Sequence, residues 1–286
     1  MSTLGKITHE GLTYAEIQGF RPLLLDLHLP ATASARSPVP VVVWMHGGAF
    51  WSGDRRYLPA DLAPNAVFDA LAAAGIAAAT IDYRLSGEAA FPAQLHDVRA
   101  AIRYLRANAA TWGLDPTRVG VWGESSGGML GALAALAPAD KDADGTADQP
   151  LAAAATFCSP TDLVALRHFS AIYGLLGETG DTAATSATLE AAAAQASPLT
   201  YVHADAPPFF IVHGDADSKI PIRHAELLHE ALLAAGAHST LISVAGAEHV
   251  FDGHPNPQDL VDQTVAFFSR ELASAGPARP RPPRRP

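Results

Sequence analysis

Short apolar runs rich in β-branched residues alternate along this chain with longer stretches whose apolar positions recur every three or four residues. A period near two marks strands and a period near 3.6 marks helices. On that basis Leu23–Leu29, Val39–Met45, Ala77–Asp82, Val119–Gly123, Ala153–Cys158, Phe209–His213 and Thr240–Val244 are expected as strands. Ala66–Ala74, Pro92–Trp112, Gly127–Leu136, Arg223–Gly236 and Pro257–Ala275 are expected as helices. Regular alternation of this kind predicts an α/β architecture, a mostly parallel central sheet with crossover helices on both faces. Leu114-Asp115-Pro116 is read as closing one helix, and Gly236 as a left-handed residue ending another.

With 286 residues and 49% hydrophobic content, one domain over residues 1–275 can bury such a sheet on both sides. About fifty residues separate the Ala153–Cys158 strand from the Phe209–His213 strand, more than one crossover helix needs. The surplus, which includes His168, Phe169, Tyr173, Leu175 and Leu176, predicts a small cap within about 160–205. Asp140–Pro150 reads as a polar surface loop, and its acids around Gly145 lack the closing Glu of an EF-hand. Residues 276–286, rich in Pro and Arg, are expected to be a disordered tail.

Charge narrows the partners. The formal charge is −10, and setting aside the four arginines at 279, 281, 284 and 285 leaves −14 on the rest, a body that repels phosphate backbones. Nucleic acid is therefore not expected as a partner. Polar residues fill Met1–Gly11, and no apolar stretch approaches the length of a membrane span, so no membrane partner and a cytoplasmic location are expected. The single cysteine, Cys158, has no partner for an intramolecular disulfide; it is read as buried packing, and no metal site is assigned. Homo-oligomerisation is left open.

The chemistry concentrates in Val119–Gly128, where a strand runs into Gly123-Glu124-Ser125-Ser126-Gly127 and then into a helix. A serine at the apex of so sharp a turn requires neighbours without side chains two positions away on both sides, which makes Ser125 the candidate nucleophile. Its hydroxyl needs a base, and the base needs an acid to orient it. Asp217, just beyond the apolar strand Phe209–His213, is the acid preferred over Asp215, which is read as bonding the turn backbone. His249, in the loop leaving the Thr240–Val244 strand, is the base; His224, His229 and His238 are read as solvent-exposed positions within or bordering a surface helix.

Gly47 and Gly48, after the Val39–Met45 strand, are read as a loop whose bare backbone approaches the substrate closely. Gly48 and Ala49 are expected to supply oxyanion N–H groups, Ser126 a third, and His46 to brace the loop. Phe50, Trp51, Phe169, Tyr173 and Phe251 are candidate contacts for the acyl group, with core packing an equal reading for each.

Taken together, HGGAF (46–50), DYRL (82–85), FPAQLHDVRAAIRYLR (91–106), GESSGG (123–128), HGDAD (213–217) and GAEHVF (246–251) resemble the hormone-sensitive-lipase-like and feruloyl/acetyl-esterase-like branches of the α/β-hydrolases over about residues 10–272. The resemblance implies the α/β-hydrolase fold, and with the residues above it points to a serine esterase cleaving small-molecule carboxylic esters of small to medium acyl chains through an acyl-enzyme on Ser125, a mechanism that requires no metal or organic cofactor. Amidase, formamidase or peptidase action, acyl transfer or cyclisation, and a non-catalytic receptor are the alternatives. Two departures stand out: Ala49 replaces the usual third glycine, and only about twenty residues precede the Leu23–Leu29 strand, which implies a more open site closer to the feruloyl/acetyl-esterase branch.

Overall fold

The computed structural model describes residues 6–139, 148–177 and 186–273. Eight strands form one sheet: β1 (Lys6–Ala15), β2 (Leu23–Pro30), β3 (Val39–Met45), β4 (Ala77–Ile81), β5 (Leu114–Glu124), β6 (Ala153–Phe157), β7 (Phe209–Gly214) and β8 (Ser239–Val244). Their order is β1-β2-β4-β3-β5-β6-β7-β8; β2 runs antiparallel to both its neighbours, and every pair from β4 and β3 to β8 is parallel. This is the α/β-hydrolase arrangement. The helices are α1 (Ala66–Ala73), α2 (Ala93–Ala107), α3 (Ala109–Trp112), α4 (Ser125–Leu136), α5 (Ser170–Leu175), α6 (Ser186–Gln195), α7 (Arg223–Ala235) and α8 (Gln258–Glu271).

Every residue of β3 is buried, as a strand covered on both faces requires. Its alternate side chains divide between two cores. Val41, Val43 and Met45 join α2, α4 and α7 on one face, whereas Val42 and Trp44 join α1 and α8 on the other. In α2 the buried Leu95, Val98, Ile102 and Leu105 follow the helical period and form the inward stripe. The continuous helix expected over Pro92–Trp112 is instead broken at Asn108. It ends at the left-handed Gly113, so Leu114-Asp115-Pro116 begins β5 rather than closing a helix. Gly236 ends α7 with φ 87°, as its position predicted.

The sequence pattern gives no strand at Lys6–Ala15. There β1 is a half-exposed edge strand carrying Lys6 and Glu10, with two register shifts against β2. Between β6 and β7 lie α5 and α6, in the segment where a cap is expected, of which residues 178–185 lie outside the described residues. Residues 140–147 of the expected surface loop, and the expected tail at 276–286, lie outside the described residues. No described helix is long and apolar enough to cross a membrane.

Candidate active site

Ser125 sits where β5 turns into α4, at φ 50°. The turn closes only because two positions lack Cβ atoms: one on Gly123 would lie 2.5 Å from the carbonyl of Gly127, and one on Gly127 only 2.2 Å from the Met45 carbonyl oxygen. The steric requirement read from the spacing is therefore met by backbone on both sides.

His249 Nε2 lies 3.0 Å from Ser125 Oγ, and its Nδ1 lies 2.8 Å from Asp217 Oδ2. Three elements meet here, the end of β5, the loop after β7 and the loop after β8, all at the carboxyl edge of the parallel strands, where α/β sheets present ligand sites. Asp217 Oδ1 accepts the N–H groups of Lys219 and Ile220 at 2.9 and 2.8 Å, while His213 Nε2 lies 3.3 Å from Oδ2. Burial alone would raise this carboxyl's pKa, but the bonds from His213, His249 and the Ile220 N–H outweigh it and hold the group well below the usual carboxylate range. Asp217 thus remains a carboxylate beside a histidine whose other nitrogen faces a serine.

Glu248, not singled out from the sequence, ties the two loops. Its carboxylate accepts the N–H and Oγ of Ser218, both at 2.9 Å, and the N–H of His249 at 3.3 Å. Asp215 Oδ1 accepts the Gly246 N–H at 2.7 Å, so it ties the loop after β7 to the loop after β8 rather than bonding the backbone of its own turn as expected. Cys158 is fully buried as expected, but a histidine does lie near it: its Sγ, an Asp217 oxygen and a His249 nitrogen fall within 4.8 Å of one another. Burial drives the thiol pKa well up, and the carboxylate and imidazole already bond each other. The surface reading of His224 is overturned. It is buried, its Nδ1 accepts the N–H groups of Thr161 and Asp162 at 3.3 Å, and desolvation lowers its pKa to about 4.

The Gly48-Ala49-Phe50 loop adopts three successive positive φ values, 114°, 55° and 64°. The Gly48 carbonyl accepts the N–H groups of Trp51 and Ser52 at 3.0 and 3.2 Å, whereas those of Gly48 and Ala49 find no protein acceptor among the described residues. The Ser126 N–H lies in the first turn of α4, where no intrahelical carbonyl is in reach. His46 braces the loop from beneath: it stacks on Tyr83 at 4.3 Å, its Nδ1 bonds the Gly47 carbonyl at 2.6 Å, and the Tyr83 hydroxyl donates to the His46 carbonyl at 2.9 Å. The two glycines also have a reason within the chain. A Cβ on Gly47 would strike Glu124 Oε1 at 2.1 Å, and one on Gly48 the Ser52 carbonyl oxygen at 2.1 Å, so the protein's own atoms crowd both positions.

The aromatic candidates separate. Phe50 and Phe251 are 2% and 3% exposed and belong to the two cores, Phe251 edge-to-face with Phe157 at 5.0 Å, so packing is their role in this conformation and neither offers a contact surface. Trp51, Phe169 and Tyr173 are open to solvent, and Trp51 lies against Gly174 of α5, where an added Cβ would come 3.2 Å from its indole nitrogen.

Comparison with known proteins fits this geometry. The chain is 30% identical over 240 residues to Esterase LipQ of Mycobacterium tuberculosis, an alignment covering 82% of this chain and 55% of that protein. It is 32% identical over 209 residues to the probable carboxylic ester hydrolase LipM of the same organism, covering 70% and 45% respectively. The chain thus spans about half the length of these curated relatives. Among solved structures, a truncated carbohydrate esterase from gut microbiota superposes with a TM-score of 0.74 at 25% identity, covering 94% of this chain and 97% of that one. The butyrate-bound esterase Est2 of Thermogutta terrifontis does so with a TM-score of 0.74 at 25% identity, covering 93% and 96%. The BD-FAE family model matches residues 25–232, and the chain, with its serine elbow, acid and histidine in that fold, belongs to the BD-FAE family of α/β-hydrolases.

Proposed function

We propose that the protein is a carboxylic ester hydrolase that cleaves short-acyl esters through an acyl-enzyme on Ser125. The observation carrying this reading is the placement of His249 between Asp217 and Ser125, at 2.8 and 3.0 Å. His249 Nε2 takes the Ser125 proton as Oγ attacks the ester carbonyl, and Asp217 fixes the tautomer and stabilises the imidazolium. The negative oxygen is held by the N–H groups of Gly48, Ala49 and Ser126. Collapse of the intermediate breaks the ester bond, and the histidine gives its proton to the departing alcohol. Water, deprotonated by the same histidine, then attacks the acyl-enzyme, and Ser125 leaves with the proton restored. Each step is done by side chains and backbone of this chain.

Support for esters comes from the relatives' names, and for short acyl groups from the butyrate in a related esterase. Trp51, Phe169 and Tyr173, exposed on the oxyanion loop and on or beside α5, are proposed to contact the substrate. The test is hydrolysis of p-nitrophenyl esters from acetate to decanoate. A kcat/KM that peaks between acetate and butyrate supports the reading; turnover peaking at decanoate, or none with any ester, overturns it.

A further inference from the structure

Glu124, between Gly123 and the nucleophile, is 1% exposed and enters no ion pair among the described residues. Its Oε2 has no protein hydrogen-bond partner, and its Oε1 presses on Gly47, filling the place of the missing Cβ beneath the oxyanion loop. The groups that face it do not compensate a charge. They are Tyr57 in the loop after β3, Tyr83 at the end of β4 and Cys158 at the end of β6, each with a raised pKa and so neutral. His46, stacked on Tyr83, is kept neutral by burial, and the anionic Asp217 lies beyond Cys158.

We propose that Glu124 is a positioning acid of the oxyanion loop that must be neutral for the loop to accept negative charge, so that its ionisation switches hydrolysis down on the alkaline side. The inference rests on the esterase reading above. A carboxylate under Gly47 would stand next to the peptide whose N–H is to receive the oxyanion. One contact, part of one residue and one hydrogen bond place the two negative charges about 8 Å apart. At an effective dielectric of about 20, repulsion over that distance slows acylation roughly thirtyfold. Burial without a compensating donor or cation raises the Glu124 pKa to about 7, so the switch falls just above neutrality. The sign follows: the protonated form is active, and activity falls as pH rises through that value.

The experiment measures kcat/KM for p-nitrophenyl acetate against pH, for the wild type and for Glu124→Gln, alongside infrared titration of the wild type, which follows the buried acid's carbonyl band without reference to activity. A wild-type alkaline limb of one proton, roughly thirtyfold deep, absent in Glu124→Gln and coincident with loss of the infrared band, is expected. The same limb in Glu124→Gln, or a wild-type band already gone at pH values where turnover is highest, overturns the assignment. Should Glu124→Gln not fold, the wild-type coincidence alone decides. Absence of ester turnover at every pH would instead sink the esterase reading, while the infrared titration still reports whether the acid is neutral.

Discussion

Adding one methyl group at each of three glycines should damage the protein in an order fixed by what that methyl meets. At Gly127 it lies 2.2 Å from the Met45 carbonyl oxygen and 2.3 Å from that of His46, and bringing 2.2 Å to an ordinary 3.4 Å contact means parting α4 from the end of β3 by about 1.2 Å. Backbone on both sides leaves no rotamer to relieve the clash. Overpacking of this kind costs about 1–3 kcal/mol. Because the same shift moves Ser125 against His249 and the oxyanion loop, and a displacement near 1 Å costs about a hundredfold in rate, kcat for Gly127→Ala should fall on the order of 10². Gly47→Ala meets the Glu124 carboxyl instead, Oε1 at 2.1 Å and Cδ at 3.1 Å, and a side chain can rotate away. Its loss should lie between that of Gly127→Ala and nothing. Gly87→Ala has no atom within 4 Å and an exposed position, so stability should stay within about 0.5 kcal/mol and kcat should not change. Urea unfolding and p-nitrophenyl acetate kinetics on the three variants read the ranking. A Gly127→Ala protein with wild-type kcat and midpoint, or one no worse than Gly87→Ala, would refute the reasoning.

Three further outcomes follow from individual residues. Ala49→Gly relieves a left-handed alanine at φ 55°, worth about 1 kcal/mol before the added freedom of the unfolded chain is set against it, so the urea midpoint should rise slightly with activity retained; a clear drop would contradict this. Asp217→Asn replaces an acceptor of four donors, lets His249 adopt the wrong tautomer and should lower kcat by about 10⁴ with little change in KM, read from steady-state kinetics. His28 and His224 both have pKa values pushed down by burial to about 4 in the folded chain, so the unfolded chain binds their protons first. Stability should therefore be fully present above about pH 6.5 and decline as pH falls toward about 4, on the order of 3 kcal/mol per histidine, and His224→Gln should flatten part of that slope in urea titrations across the range.

How much of this was legible in the sequence depends on whether local chemistry or tertiary contact decides. Strands β3 and β6 declared themselves as apolar runs because they are covered on both faces, and the elbow glycines because sterics at Ser125 admit nothing else. The edge strand β1 did not, since half-exposed KITHEGLTYA has no alternation to read and its pairing with β2 supplies the order. His224 looked like a surface residue because α7 carries two histidines, His224 and His229, with no sign of which face turns inward; only the chain at Thr161 and Asp162 selects it. The aromatic candidates were equally opaque, Phe50 turning into the core while its neighbour Trp51 turns out. Glu124 and Glu248 carry no signal of their own, because each sits beside a candidate catalytic residue in sequence, while its contacts are set by Gly47 in one case and Ser218 in the other.

The most direct test of the account is labelling with a fluorophosphonate, followed by peptide mass mapping and residual ester turnover. One phosphonyl group per chain on Ser125, activity lost in step with labelling, and an unlabelled, inactive Ser125→Ala protein are the predicted results. A label on another residue, or ester turnover surviving in Ser125→Ala, would contradict the assignment of Ser125, His249 and Asp217 as a catalytic triad.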